Sequence, residues 1–179
     1  MLSILIVEDE PLFAQTLKHL VELNPLYSVT ALAEDRISAL AAVAERRPDL
    51  ALVDLQLAHG NTGFAVAAKL SDLGIPCLFT TGKAPDFPMP DLALGCLVKP
   101  FSEEDLVRAL KAAEDIVRGR ERVRPSRPDN LRLYAEEVAM AEAAPPALLP
   151  TPARSNARRT WKARAGLIWR AAQRRLSFG

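Results

Sequence analysis

Polar residues follow apolar runs at four places in the chain. These places are Glu8-Asp9 after Ser3–Val7, Asp54 after Leu50–Val53, Thr81-Gly82 after Pro76–Thr80, and Lys99-Pro100 after Leu94–Val98. Counted from Asp9, the successive spacings are 45, 27 and 18 residues. Short apolar runs of this kind are typical of strands buried in a parallel sheet, whose carboxyl ends meet at one edge. We therefore expect these polar side chains to converge there.

The residue types at that edge indicate phosphoryl transfer. Three carboxylates, on Glu8, Asp9 and Asp54, would repel one another unless a hard cation neutralised them, and Mg²⁺ takes such ligands. The sequence therefore predicts a magnesium site. With Asp54 as carboxylate nucleophile, Lys99 as positive charge and the Thr81 hydroxyl as donor, the set matches what in-line phosphoryl transfer requires. The predicted product is an aspartyl phosphate on Asp54.

Each residue also has a simpler interpretation. A lone Asp at a strand end is more often a turn or capping residue, and a lone Lys-Pro is usually a turn. Four such elements in fixed order, each at a strand end, make the phosphoryl-transfer interpretation specific. His19 and His59, by contrast, are expected to be plain scaffold residues.

Helices are predicted between these strands. A further strand is expected at Tyr27–Ala33. Helices are expected from Pro11 to Asn24, from Asp35 to Arg47 with an Asp35 cap, after a turn at Gly60-Asn61 up to Leu73, and from Glu103 to Val117. Five strands alternating with helices predict an α/β fold with a doubly wound five-stranded parallel sheet. The connection from Thr81 to Leu94 holds Pro85, Pro88 and Pro90. Because proline disrupts helix interiors, the fourth helix is expected to be short or missing.

Composition limits the class of protein. The 179 residues are 49% apolar and 25% charged, which fits one globular domain with an appendage and excludes a wholly disordered or fibrous chain. Cys77 and Cys96 lie in apolar runs without further ligands nearby, so neither a disulfide scaffold nor a zinc site is expected. No apolar run approaches the ~18–20 residues of a membrane span, and no signal peptide is recognised. A cytoplasmic location is expected.

Charge divides the chain unevenly. Residues 1–117 carry 9 basic and 17 acidic side chains, a net of −8, whereas residues 151–179 carry 8 basic and no acidic ones. We predict a domain over 1–118, a Pro/Ala/Arg-rich linker over 119–152, and a basic amphipathic tail helix over 153–179. Within the linker, Leu131–Tyr134 is expected to be a short strand or docking segment, and Ala135–Ala144 one or two helical turns.

Four sequence motifs resemble those of the receiver domain of two-component response regulators. They are Ile-Leu-Ile-Val-Glu8-Asp9-Glu10, Leu-Val-Asp54-Leu, Phe79-Thr80-Thr81-Gly82 and Val98-Lys99-Pro100-Phe101. The resemblance covers about residues 1–118 and implies a flavodoxin-like fold. It further implies that Glu8, Asp9, Asp54 and the Gln56 carbonyl bind Mg²⁺, that Asp54 accepts phosphate, that Thr81 and Lys99 contact it, and that the Lys99-Pro100 bond is cis. A sensor histidine kinase or phosphotransfer protein is the implied phosphodonor.

The chain also departs from that pattern. Cys96 stands three residues before Lys99, where receivers commonly have an aromatic switch residue, so signal output is expected to run differently. The string Pro76–Gly82 and the Pro-rich stretch after it look like the FAT GUY single-domain regulators of alphaproteobacteria, although Thr80 replaces an Ala of that motif and Lys83 replaces a bulky apolar residue. Gln56 and Lys83 flank the approach of water and are expected to tune phosphate lifetime.

Three functions follow from these observations. The first is a phosphorylation-switched regulator that signals by protein–protein contact and catalyses only its own phosphorylation and dephosphorylation. The second is a regulator whose basic tail binds nucleic acid or an anionic membrane, unless the tail folds back on the acidic domain or stays disordered. The third, a haloacid-dehalogenase-type phosphatase, is disfavoured because that chemistry needs an acid where Gln56 stands. The downstream partner is left open.

Overall fold

The described part of the chain forms one sheet with helices on both faces. The structure, a computed structural model, describes residues 1–58, 62–120 and 128–143. In these ranges the elements are β1 Leu2–Val7, α1 Pro11–Glu22, β2 Tyr27–Ala33, α2 Arg36–Glu45, β3 Leu50–Asp54, α3 Thr62–Asp72, β4 Cys77–Thr81, β5 Gly95–Val98, α4 Glu103–Val117, β6 Leu131–Leu133 and α5 Tyr134–Ala143.

The strand order is β2-β1-β3-β4-β5-β6. The first five strands are parallel, with Ile4 beside Leu50 and Thr81 beside Val98. Their carboxyl ends therefore meet at one edge, and chain order reverses between β1 and β3, which is where open parallel sheets bind ligands. The predicted doubly wound five-stranded parallel sheet is confirmed, and β6 adds an antiparallel strand beside β5.

Each central strand buries side chains on both faces. Ile4 and Ile6 of β1 lie in a core shared with α1 and α4, and Leu5 and Val7 lie in a second core shared with α2 and α3. Because helices cover both faces, these strands are apolar throughout, without the alternation of a half-exposed sheet. The buried strands thus fix the positions of the polar residues that follow them, at one edge of the sheet.

The bounds of α2 follow from local signals. Asp35 accepts a hydrogen bond from the Ser38 N–H at 2.8 Å, which confirms the predicted cap. The helix ends at Glu45, not at Arg47 as predicted, and the next residue has extended backbone. Pro48 explains why the helix does not include Arg47, because the residue before a proline is disfavoured in helical conformation.

The other helix starts also have local causes. Pro11 occupies the first turn of α1, where its missing N–H has no partner to lose. In α4, Ser102 accepts a hydrogen bond from the Asp105 N–H at 3.1 Å, and the Asp105 carboxylate accepts from the Ser102 N–H at 2.9 Å. The helix predicted over Glu103–Val117 is confirmed with those bounds.

The connection between β4 and β5 contains no helix. This confirms the expectation from its three prolines. The connection is fixed at its far end, where the Leu94 N–H donates to the Cys77 carbonyl at 2.8 Å, and the Ser71 hydroxyl of α3 donates to the Asp91 carbonyl at 2.9 Å. The face of the sheet beside β4 and β5 is thus not covered by a crossover helix.

The segment after α4 joins the sheet. Leu131–Leu133, left open as a strand or docking segment, forms β6, and α5 runs for ten residues, longer than the predicted one or two turns. Gly95 permits the pairing, because a Cβ there would lie 2.2 Å from the Arg132 carbonyl oxygen. The sheet therefore includes residues of the predicted linker.

Some predictions concern residues that the structure does not describe. The turn at Gly60-Asn61, residues 121–127 and 144–152 of the predicted linker, and the whole basic tail over 153–179 lie outside the described residues. Among the helices that are described, none is both long and apolar enough to cross a bilayer.

Candidate phosphoryl-transfer site

Three carboxylates meet at the carboxyl edge of the sheet. Glu8 and Asp9 directly follow β1, and Asp54 ends the neighbouring strand β3. One carboxylate oxygen from each lies within 4.8 Å of the others. Glu8 and Asp54 are buried, and Asp9 is half-buried. Such a group of hard oxygen donors is suited to a divalent cation.

Lys99 reaches this group from the end of β5. Its Nζ donates to Asp54 Oδ2 at 2.7 Å and to Glu8 Oε2 at 3.0 Å. The ammonium also lies 4.2 Å from the centroid of the Phe13 ring, a cation–π distance. The Lys99-Pro100 peptide bond is cis, as the resemblance implied. Lys99 is therefore held by two carboxylates and one aromatic face.

The charges at this edge do not balance. With all groups ionised, three carboxylates and one ammonium leave a net of −2, the charge a divalent cation would neutralise. Burial raises the pKa of Glu8, and the hydrogen bond from Lys99 only partly opposes it. Burial alone would lower the pKa of Lys99, but hydrogen bonds to Asp54 and Glu8 outweigh it and raise the pKa. Lys99 stays charged at neutral pH.

Backbone donors hold two of the carboxylates. The Gln56 N–H donates to Asp54 Oδ1 at 2.8 Å, and the Ala58 N–H donates to Asp9 Oδ2 at 2.7 Å. The Gln56 side chain lies beside Gly82, where an added Cβ would be 3.1 Å from its Oε1. The loop after β3 therefore faces the loop after β4 across the site.

Thr81 ends β4 with its side chain fully buried. Its hydroxyl accepts a hydrogen bond from the Lys83 N–H at 3.4 Å, near the limit for such a bond, and its carbonyl accepts from the Lys99 N–H at 2.8 Å. The Lys83 side chain is exposed. Of the two histidines, His19 is exposed on α1, and His59 lies outside the described residues. The structure thus brings Glu8, Asp9, Asp54 and Lys99 together, and it places Thr81 beside Lys99 through a backbone hydrogen bond.

Comparison with known proteins identifies the family. A model of the response regulator receiver domain matches residues 4–111. The chain belongs to this family. It is therefore a receiver of the phosphorylation-switched kind found in two-component systems. Receiver domains of this family accept phosphate from histidine kinases or phosphotransfer proteins and typically use Mg²⁺.

Several curated relatives share the receiver. The chain is 33% identical over 117 residues to the sensory transduction protein LytT of Bacillus cereus, covering 62% of this chain and 46% of that protein. It is 36% identical over 116 residues to the phyllosphere-induced regulator PhyR of Methylorubrum extorquens, covering 62% and 43% respectively. The chain thus spans about half the length of these relatives.

Solved structures agree with this assignment. A CheY-like receiver domain protein from Methanospirillum hungatei superposes with a TM-score of 0.59 at 26% identity, covering 66% of this chain and 98% of the other. The receiver domain of PhyR from Erythrobacter litoralis gives a TM-score of 0.53 at 28% identity, covering 71% and 96%. The similarity thus extends over nearly the whole of these two receiver domain structures.

One feature of this receiver was missed from the sequence. Cys96, at the position where receivers commonly have an aromatic residue, is buried, and Tyr134 is buried beside it. The Tyr134 ring lies 6.3 Å from that of Phe79 in β4, centroid to centroid. Burial raises the pKa of the Cys96 thiol to about 11. An aromatic ring from the segment that follows α4 therefore lies beside Cys96.

A second missed residue is Phe13. In the sequence it is one of the apolar positions of α1, and no pattern marks it as a neighbour of Lys99. In the receiver it packs against Phe101, with ring centroids 6.1 Å apart, and against the Lys99 ammonium. Only the spatial approach of α1 to the end of β5 reveals this contact.

Proposed function

We propose that Asp54 accepts a phosphoryl group from a sensor histidine kinase or phosphotransfer protein. The observation that carries this proposal is the buried Asp54 carboxylate, held at both oxygens by the Gln56 N–H and Lys99 Nζ beside two further carboxylates. In the transfer, a carboxylate oxygen attacks phosphorus, the phosphorus–nitrogen bond of the phosphohistidine breaks, and its electron pair returns to the imidazole.

Mg²⁺ fits the donor set at this edge. Glu8, Asp9, Asp54 and the Gln56 carbonyl would hold it, and the net charge of −2 supports a divalent ion. When bound, the ion supplies positive charge that offsets the charge on the phosphoryl oxygens. The side chains have separate tasks, since Lys99 neutralises a phosphoryl oxygen and the Thr81 hydroxyl donates to one.

Gln56 and Lys83 are proposed to set the lifetime of the aspartyl phosphate. The Gln56 side chain lies beside Gly82, and the Lys83 side chain is exposed one residue further along. Gln56 follows the strand end that carries Asp54, and Lys83 follows the one that carries Thr81, so both are proposed to flank the approach of water to the phosphoryl group. The chain is proposed to catalyse only its own phosphorylation and dephosphorylation.

Treatment with acetyl phosphate tests the acceptor. In Mg²⁺ the full chain is expected to gain one phosphoryl group by intact mass, and the Asp54→Asn variant none. Asp72→Asn is a matched control, since Asp72 is an exposed carboxylate on α3, paired with Lys69 at 2.9 Å, and is expected to be labelled like the wild type. Labelling that persists in Asp54→Asn, or is unchanged in EDTA, would show that the site is misassigned.

The output is proposed to be protein–protein contact. Receiver relatives such as PhyR carry further regions that this chain does not match, so its output partner is not inferred from them. The Pro76–Gly82 string and the absence of a helix between β4 and β5 support a kinship with FAT GUY regulators. A phosphotransfer screen against purified histidine kinases of the source organism tests the donor side. Cytoplasmic location stays a prediction from the sequence.

A second candidate output rests on charge. The tail over 153–179 includes all 8 basic residues of positions 151–179 and no acidic ones, which favours nucleic acid or an anionic membrane as a ligand. Among the matched relatives, MtrA of Mycolicibacterium smegmatis is a DNA-binding response regulator, 36% identical over 117 residues. Salt-sensitive binding to random-sequence DNA, lost on removal of the tail, would favour this output.

A further inference from the structure

Residues 128–143, here named the docked segment, cover part of the sheet that lacks a crossover helix. Leu131, Arg132 and Leu133 pair antiparallel with Leu97, Cys96 and Gly95. Two further backbone hydrogen bonds extend the pairing. The Val98 N–H donates to the Asn130 carbonyl at 3.0 Å, and the Tyr134 N–H donates to the Leu94 carbonyl at 3.0 Å. The docked segment is thus fixed along the whole of β5.

Tyr134 anchors the docked segment to the strand that ends in Thr81. Its ring is 1% exposed and packs on Phe79, two residues before Thr81 and on the same face of β4. Its hydroxyl is buried without a hydrogen-bond partner of ordinary geometry. A buried hydroxyl without such a partner disfavours the docked state. Burial of the Tyr134 ring therefore stabilises the docked state, and burial of its hydroxyl destabilises it. This balance suits a contact that can be released.

Arg132 ties the docked segment to the connection between β4 and β5. Its guanidinium donates to the Pro85 carbonyl at 3.1 Å and, through two nitrogens, to the Glu137 carboxylate of α5 at 2.6 and 3.0 Å. One side chain therefore joins β6, α5 and the connection. Pro85 lies only four residues after Thr81.

The connection begins with a weak hydrogen bond. The Thr81 hydroxyl accepts from the Lys83 N–H at 3.4 Å. When the Thr81 hydroxyl rotates to donate to a phosphoryl oxygen, its hydrogen bond from the Lys83 N–H changes. The backbone from Gly82 to Pro85 contains no helix that would hold it in place. The Pro85 carbonyl, which accepts the hydrogen bond from Arg132, lies at the end of that stretch.

We propose that the docked segment is a phosphorylation-released latch. In the unphosphorylated chain it lies on β5, and phosphorylation of Asp54 loosens it, because the shift that begins at Thr81 withdraws the Pro85 carbonyl from Arg132. The proposal rests on the proposed function of Asp54. In this proposal the docked segment, residues 128–143, is the output element. It takes the role of the aromatic switch residue that this chain lacks at Cys96.

Hydrogen exchange on the full chain tests the latch. Peptides from residues 128–143 are compared with and without beryllofluoride and Mg²⁺, a stable mimic of the aspartyl phosphate. Their amides are expected to exchange at least threefold faster with the mimic, and Asp54→Asn is expected to show no difference. Acetyl phosphate labelling, measured separately by mass, reports on Asp54 itself. Labelling at Asp54 with unchanged or slower exchange overturns the latch alone, whereas no labelling at Asp54 overturns both proposals.

Arg132→Gln provides an independent readout. It is expected to speed exchange of residues 128–143 at least threefold without any phosphoryl mimic. Because coupling is reciprocal, it is also expected to raise the affinity for beryllofluoride. Arg108→Gln is the matched control, since Arg108 has similar exposure and pairs with Glu104 on α4, and it is expected to change neither quantity. Unchanged beryllofluoride affinity in a folded Arg132→Gln chain with faster exchange contradicts the coupling.

Discussion

Gly95→Ala is expected to detach β6 selectively. A Cβ at Gly95 would lie 2.2 Å from the Arg132 carbonyl oxygen, and real Cβ atoms stay at least 3.0 Å away, so the carbonyl must retreat by about 0.8 Å. The two flanking backbone hydrogen bonds, from Tyr134 to Leu94 and from Val98 to Asn130, are both 3.0 Å long. A stretch of that size takes them out of the usual range of ~2.7–3.2 Å.

The magnitude follows from these bonds. Each contributes about 1 kcal/mol net, so losing two costs about 2 kcal/mol. Replacing a strand glycine by alanine returns roughly 0.5–1 kcal/mol of backbone entropy. The net loss of about 1–1.5 kcal/mol should increase the opening of β6 and α5 roughly 5–13-fold.

Hydrogen exchange by mass spectrometry measures this opening. Amides of residues 131–143 should exchange faster in Gly95→Ala, whereas those of β1 and β3 should keep their wild-type rates. Gly119→Ala is the comparison variant, because Gly119 has a φ of +61° and nothing within 4 Å of an added Cβ. It is expected to cost about 1–2 kcal/mol through backbone strain without a selective effect on β6. Wild-type exchange over 131–143 in Gly95→Ala would refute the close approach.

Three further predictions concern other parts of the chain. The Asp49 carboxylate accepts hydrogen bonds from the Ser3 hydroxyl at 2.6 Å and from the Ser3 N–H at 2.8 Å, and these bonds lower the pKa of Asp49. Asp49→Asn should therefore lower the free energy of unfolding, measured in urea, by about 1 kcal/mol at pH 7. The difference should become progressively smaller as the pH falls below 3.8. Burial raises the pKa of Cys77 to about 12 and of Cys96 to about 11, so neither thiol should react with a disulfide reagent at pH 8 until the chain is denatured, and rapid native reaction would contradict their burial. Truncation to residues 1–152 should leave acetyl phosphate labelling unchanged and should abolish binding to anionic vesicles or random-sequence DNA at low salt. A full chain that binds neither surface would exclude binding of nucleic acid or membrane by the tail as the output.

The sequence predicts the core of the fold because its signals are local. Strands buried on both faces are continuous apolar runs, and the missing helix is marked by three prolines within six residues. The error at the end of α2 was avoidable, since Pro48 disfavours helix in the residue before it. The strand-end residues come together because parallel strands deliver their ends to one edge.

Other features depend on contacts between distant residues. The sequence predicts a short strand or docking segment at Leu131–Tyr134, but the pairing of β6 with β5 depends on Gly95, 37 residues before Arg132. Tyr134 lies beside Cys96 only because that pairing forms. The same holds for Phe13, which contacts Lys99 through the approach of α1 to β5. Sequence periodicity carries no information about such neighbours.

Mapping the phosphorylated residue tests the central claim most directly. Borohydride reduces an aspartyl phosphate to homoserine, which marks the acceptor permanently. After treatment with acetyl phosphate and Mg²⁺, then borohydride, peptide sequencing by mass spectrometry should find homoserine at position 54 and, among the carboxylates, nowhere else. A glutamyl phosphate, for example at Glu8, would be reduced to hydroxynorvaline instead, which the same sequencing would detect. Homoserine at Asp9 or at any aspartate other than Asp54, with position 54 unmodified, would contradict the account.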